Sequence, residues 1–175
     1  KAGARFQPEK AKWFNAQYMH NLTAEQFAPL MQPILKAHGI EVSDEVAGKA
    51  ADIMKERMTL VTDMWDLTSF FFVAPAEYEE KLAKKQWKGT NPQMLGELRG
   101  VLEAIDDFSK ENTEAVVREW IEAKELGLGQ VMNTLRLALV GAGKGPGMFD
   151  VTEFLGKAET LKRIDAISAN LKPME

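Results

Sequence analysis

The 175-residue chain contains no cysteine. That excludes disulfides, thiolate metal sites and a cysteine nucleophile, and it suits a reducing compartment. Histidine is nearly as scarce. His20 and His38 are the two present, and no HExxH-type spacing joins them to a carboxylate, so both read as solvent-facing residues at helix ends and not as metal ligands. No Gly-x-Ser-x-Gly marks a serine nucleophile. The adjacent acidic pairs Glu79-Glu80 and Asp106-Asp107 point apart on a helix, so they read as solvated faces and not as acid/base dyads. No apolar run nears the roughly 18 residues that a membrane helix needs; the longest is Phe70-Phe71-Phe72-Val73-Ala74. The opening KAGARFQPEK lacks the apolar segment of a signal peptide, and a first residue other than Met reads as a piece cut from a longer chain.

Charge of one sign is also missing. The net charge is −4, which argues weakly against nucleic acid until it is resolved along the chain. Residues 1–125 carry 16 Lys+Arg against 21 Asp+Glu, whereas residues 126–175 carry 6 against 5. The last fifty residues are therefore mildly basic, enough for a few phosphate contacts but not for a strong field. The length fits one domain or two small ones sharing a core, and 45% apolar residues supply that core.

What is present is helical periodicity from end to end, and the class expected is all-α. Pro8 suits the first turn of a helix that runs through EKAKWFNAQYMH, with Ala11, Phe14 and Tyr18 on one face. Thr23-Ala-Glu-Gln26 has the form of a capping box. The helix it opens contains Pro29 and Pro33, which predict a kink or two short pieces. Ser43 caps a third helix with Val46, Ala50, Ile53, Met54 and, if it runs that far, Met58 on one face. A fourth runs through Leu60, Met64, Leu67 and Phe71 to Pro75. Residues 75–92 form a joint containing a short charged helix, and Thr90 caps a long helix whose stripe is Leu95, Leu98, Leu102 and Ile105. Further helices are expected near 113–126, over Leu128 to Ala142, from Asp150 or Thr152 to Gly156, and from Ala158 to Leu171. The aromatic residues Trp13, Phe14, Trp65, Trp87 and Trp120 are assigned to packing. A helix cannot bury Phe70, Phe71 and Phe72 on one face, so at least one of them meets another element or a partner.

The stretch LRLALVGAGKGPGMF, residues 135–149, looks at first like a phosphate-binding loop. Such a loop needs G-x-x-x-x-G-K-[ST] between a strand and a helix. Here the first glycine position is Ala138, the hydroxyl position is Gly145, and Pro146 removes a backbone donor. The apolar run before it keeps a helical spacing, so the nucleotide reading fails on each requirement.

Six segments carry a resemblance: FQPEKAKWFNAQY from Phe6, ERMTL from Glu56, FFFVAPAEYEEK from Phe70, LGQVMNTLRLALVG from Leu128, GPGMFDV from Gly145 and LGKAETLKRI from Leu155. In this order and spacing they resemble the C-terminal tRNA-binding half of bacterial glutamyl-tRNA synthetase. The resemblance covers essentially the whole chain. It implies a cytoplasmic class I enzyme that activates glutamate with ATP and magnesium and esterifies it to tRNA(Glu). The HIGH-like and KMSKS-like motifs of its upstream catalytic domain are absent here, so this stretch is expected to hold no cofactor and to be inactive alone. It further implies a helical stem-contact part over residues 1–107 and an anticodon-binding bundle over 108–175. Arg57 matches an arginine facing the third anticodon base and favouring cytosine; a planar guanidinium both donates to and stacks on an unstacked base. Arg136 matches an arginine near the first base. Gly145, Pro146 and Met148 match positions lining the first two base pockets, although relatives commonly carry a hydroxyl residue where this chain has Gly145. Lys144, Lys157, Lys162 and Arg163 are candidates for tRNA phosphate contacts. Beside these assignments stand structural ones: Arg57 paired with Asp52 or Asp63, Arg136 as a helix-end cap or ion pair, and the lysines as solvated charges. A stand-alone helical protein-interaction module without RNA is the alternative function.

Overall fold

In a computed structural model, residues 7–175 are described; Phe6, the first residue of the earliest matching segment, lies outside them. Among the described residues there are nine α-helices and no strand: α1 (Pro8–His20), α2 (Ala24–Ala37), α3 (Asp44–Met54), α4 (Met64–Phe72), α5 (Glu80–Gln86), α6 (Asn91–Glu103), α7 (Lys110–Ala123), α8 (Leu128–Val140) and α9 (Met148–Asn170). Two short 3₁₀ turns, Lys55–Arg57 and Val61–Asp63, lie between α3 and α4. The chain forms two compact units, residues 1–72 and 73–175. A division near residue 107 was expected on grounds of partner. The packing boundary at 72/73, set by α6 packing on α7, α8 and α9, is a separate division from that one.

The first unit is built on α2 against α3. The Thr23 capping box forms: the Thr23 hydroxyl accepts from the Gln26 N–H at 3.3 Å, and the Gln26 side chain accepts from the Thr23 N–H at 2.9 Å. Pro29 and Pro33 do not split the helix; of the two outcomes expected, a kink or two short pieces, the second does not occur. They lie four residues apart on one exposed face of an unbroken α2. The carbonyls they leave without an intrahelical donor, at Glu25 and Pro29, therefore open toward water. Ser43 caps α3 through the Val46 N–H at 3.2 Å. The inward face of α3 is Ala47, Ala50, Ala51 and Met54, while Val46 is 36% exposed. Close approach sets this rotation, since a Cβ on Gly48 would lie 2.0 Å from the Ala24 carbonyl oxygen. Residues 60–63 are a turn and not the start of the fourth helix, which begins at Met64. Phe70 and Phe71 are buried and Phe72 is half-buried. Trp13 and Phe14, assigned to the core by their spacing, are 59% and 56% exposed.

The second unit is centred on α8. Val131, Leu135, Leu137, Ala138 and Leu139 are fully buried, while Leu128 at its start is 41% exposed. The helix is covered by α5, α6, α7 and α9, with Leu95, Leu98 and Leu102 of α6 and Ile164 and Ile167 of α9 completing the core. α7 starts at Lys110, ahead of the expected position, after Ser109 in extended conformation. It stops at Ala123, with Glu125 rather than Gly127 in the left-handed region (φ 54°). α9 starts at Met148, earlier than expected, and breaks where expected, at Gly156 (φ 78°). Arg99 of α6 grips Asp165 of α9 through two hydrogen bonds of 2.5 and 3.0 Å. The Trp87 indole N–H donates to the Leu171 carbonyl at 2.8 Å, and the Met174 N–H donates back to the Trp87 carbonyl at 2.7 Å, which docks the C-terminal residues.

Two glycines test this packing in opposite directions. Gly48→Ala has no room at the α2–α3 contact and is expected to destabilise by about 1–3 kcal/mol. Gly100→Ala adds a Cβ that meets nothing within 4 Å, and it is expected to stabilise α6 by about 0.5–1 kcal/mol. Urea denaturation of both variants measures the two signs.

Candidate nucleic-acid interface

Arg57 closes the 3₁₀ turn that follows α3, and its position is fixed from several sides. The Lys55 ammonium donates to the Leu22 carbonyl at 3.3 Å and pairs with Asp52 at 2.9 Å. Met58 is 1% exposed and anchors the next residue in the core. The Asp63 carboxylate accepts from the Thr59 and Leu60 N–H groups at 3.0 and 2.8 Å. Both carboxylates that would compete for Arg57, Asp52 and Asp63, are thus engaged elsewhere. Arg57 itself is exposed, and among the described residues no hydrogen bond or ion pair holds its guanidinium. Leu60 and Val61, each 42% exposed, extend an apolar surface beyond it. A rigid backbone therefore carries an unengaged planar cation toward solvent, an arrangement suited to a flat, electron-rich group such as a base.

The glycine-rich loop of residues 141–147 is the corresponding feature of the second unit. Gly141 ends α8 in the left-handed conformation (φ 78°), with its N–H bonded to the Arg136 and Leu137 carbonyls. A Cβ there would lie 2.6 Å from Pro75 Cβ and 2.9 Å from the Glu77 carbonyl oxygen. The loop is tied on both flanks. Its Gly141 carbonyl accepts from the Glu79 N–H at 2.7 Å, and its Gly143 N–H donates to the Glu79 carboxylate at 2.9 Å. The half-buried Arg136 donates to the Lys144 carbonyl at 2.9 Å. Gly145 has φ 106°, a conformation that a side chain disfavours. Pro146 is buried and Met148 is 3% exposed. These two side chains therefore support the loop from inside, and the surface it offers is the backbone around Gly143, Lys144 and Gly147. Arg136 reaches the loop at the Lys144 carbonyl, which lies beyond the end of α8, so this bond is not the helix-end cap of its structural reading.

The four phosphate candidates separate. Lys144 and Lys162 are exposed. The Lys157 ammonium instead donates to the Glu103 and Ile105 carbonyls at 3.0 and 2.6 Å, where it closes the C-terminal end of α6. Arg163 is 2% exposed. Its guanidinium donates to Glu159 at 2.9 Å and to the Leu139 carbonyl at 2.7 Å. Burial lowers its pKa, opposed by the Glu159 carboxylate. Lys157 and Arg163 thus face inward in the structure, and phosphate contact finds no support at either. Glu79 was missed as a site residue, because an acidic neighbour at 80 made both look like solvated charge. Glu80 is one, paired with Lys84. Among the described residues no group of three or more His, Asp or Glu side chains is arranged to hold a metal ion, and no helix is long and apolar enough to cross a membrane.

Residues 26–168 match the family model described as an anticodon binding domain. This chain belongs to that family. It is 53% identical over 164 residues to a glutamate–tRNA ligase of Phocaeicola vulgatus, covering 94% of this chain and 32% of that protein. It is 48% identical over 170 residues to the glutamate–tRNA ligase of Flavobacterium johnsoniae, covering 97% and 34%. Among solved structures, a glutamate tRNA ligase from Elizabethkingia meningosepticum in complex with its amino acid superimposes with a TM-score of 0.91 at 43% identity, over 98% of this chain and 34% of the other. The anticodon-binding domain described here therefore spans about a third of the length of these relatives.

Arg163 and Lys162 are neighbours in sequence with opposite surroundings. Arg163→Ala leaves the buried Leu139 carbonyl without its donor and is expected to cost about 1–3 kcal/mol of stability. Lys162→Ala, at an exposed position, is expected to stay within about 0.5 kcal/mol of the parent. Denaturant titration of both variants checks the contrast.

Proposed function

We propose that this chain is the tRNA-reading part of a glutamate–tRNA ligase. The observation that carries the reading is the likeness, over nearly the whole chain, to ligases of that name, joined to an anticodon-binding family match over residues 26–168. In this reading the chain grips tRNA(Glu), and the catalytic domain of the same protein attaches glutamate to it in the cytoplasm, using ATP and magnesium. The stem and inner corner of the tRNA meet the part through about residue 107, and the anticodon meets residues 108–175 together with Arg57.

Each contact has a physical basis. Arg57 faces the third anticodon base and favours cytosine; its exposed, unengaged guanidinium supports this role. Arg136 sits by the first base while bracing the loop through the Lys144 carbonyl. Gly145 offers no hydroxyl, so the middle base is read by loop backbone, with Pro146 and Met148 shaping that backbone from beneath. Lys144 and Lys162, both exposed, contact phosphate. Lys157 and Arg163 stabilise the fold that presents these groups.

Arg57→Gln is expected to lower affinity for tRNA(Glu) about tenfold, toward the lower end of the range for losing one stacking contact. It is also expected to relax the choice at the third anticodon position. Filter binding of the full-length protein to anticodon variants tests both; unchanged discrimination removes this role from Arg57. Lys144→Ala and Lys162→Ala should each flatten the salt dependence of tRNA binding by roughly one unit of log–log slope, without changing which anticodon is preferred.

A further inference from the structure

Glu79 occupies the N-cap position of α5, and its carbonyl accepts from the Ala83 N–H at 2.8 Å, in the first turn. A carboxylate at that position ordinarily accepts from its own helix's free N–H groups. Here it makes no such cap bond. It reaches instead across 64 residues of sequence to the Gly143 N–H at 2.9 Å. Its own N–H, 2.7 Å from the Gly141 carbonyl, ties the same loop a second time. Pro75 and Glu77 press against the position where Gly141 would carry a side chain. The residues from Pro75 to Glu79 thus form a brace along one flank of the loop, and Arg136 holds its other side at the Lys144 carbonyl.

A carboxylate beside a surface that meets a polyanion carries an electrostatic cost. It also forgoes a favourable cap on its own helix. A side chain that breaks its local preference in this way signals a constraint imposed from elsewhere. The constraint is the direction of the loop's peptide groups. Glycines have the widest backbone freedom, so a loop read through its backbone needs an external hold to keep one conformation. We propose that Glu79 is a positioning residue for anticodon recognition, fixing the peptide groups of Gly141–Gly143 so that the loop discriminates bases before the RNA arrives. This rests on the anticodon-reading function proposed above and adds to it a residue outside the RNA-facing set.

The test compares the parent full-length protein with its Glu79→Ala and Glu79→Gln variants. Two quantities are read: the affinity ratio between a tRNA(Glu) anticodon stem-loop and the same stem-loop with its anticodon replaced, and hydrogen exchange of peptides covering residues 141–147 without RNA. Glu79→Ala is expected to speed exchange at the loop and to reduce the ratio about fivefold, as for loss of one hydrogen bond. Glu79→Gln keeps an oxygen that accepts from Gly143. It is expected to preserve the ratio while raising affinity for both RNAs at low salt, since a negative charge is gone. A purely structural role would lower the melting temperature while leaving the ratio unchanged, and that result overturns the proposal. Unchanged loop exchange in Glu79→Ala also overturns it, whatever the RNA does. A parent protein that fails to tell the two stem-loops apart refutes the anticodon-reading function itself.

Discussion

The contact between Gly141 and the segment from Pro75 to Glu79 governs the rest of the second unit. The last turn of α8, Leu137 to Val140, is buried, and the helix must end where the core ends. Its last carbonyls need donors, and the left-handed turn at Gly141 supplies the geometry. Only a residue without a Cβ fits, because Pro75 and the Glu77 carbonyl occupy the space. That close fit lets Glu79 reach the loop backbone twice. The loop therefore leaves the core at a defined point, in a defined direction, with Pro146 and Met148 filling the space beneath it. The first unit solves the same problem differently, with Asp63 and the buried Met58 holding the turn that carries Arg57. In both units a flat group is offered on a backbone that cannot drift.

Most of the fold was legible in the sequence wherever its cause was local. The Thr23 box, the Ser43 cap and the Gly156 break are each decided within a few residues and appear as expected, whereas α8 was expected to reach Ala142 and stops at Val140. Prediction failed where the cause lay elsewhere in the chain or in solvent. Pro29 and Pro33 predicted a kink or two short pieces; the helix is not divided, and their shared exposure lets water serve the carbonyls they orphan. Val46 was placed on the apolar face of α3 by its spacing. The α2–α3 contact, however, leaves no room for a Cβ at Gly48, and that close approach is not written in α3 alone. Trp13 and Phe14 were assigned to packing on spacing, yet both face out in the structure.

The same distinction sorts the site. Arg57 and Arg136 were found through their segments, and the structure gives each a geometry consistent with the role proposed for it. Lys157 and Arg163 had equally suggestive neighbours, but their partners are the carbonyls of Glu103, Ile105 and Leu139, dozens of residues away. No local pattern distinguishes a lysine that closes a distant helix from one that meets phosphate. Glu79 failed in the opposite sense. It looked like half of a solvated pair, and only the fold shows that its neighbour alone fits that description.

The central claim is that the turn at Lys55–Arg57 and the loop at 141–147 are each contacted by the anticodon. Hydrogen exchange of the full-length protein, with and without a saturating tRNA(Glu) anticodon stem-loop, tests it directly. The account predicts slowed exchange in peptides covering residues 55–61 and 141–147, and little change along the exposed Pro29–Pro33 face of α2. Protection absent from both segments, or equal with a stem-loop whose anticodon has been replaced, would contradict it.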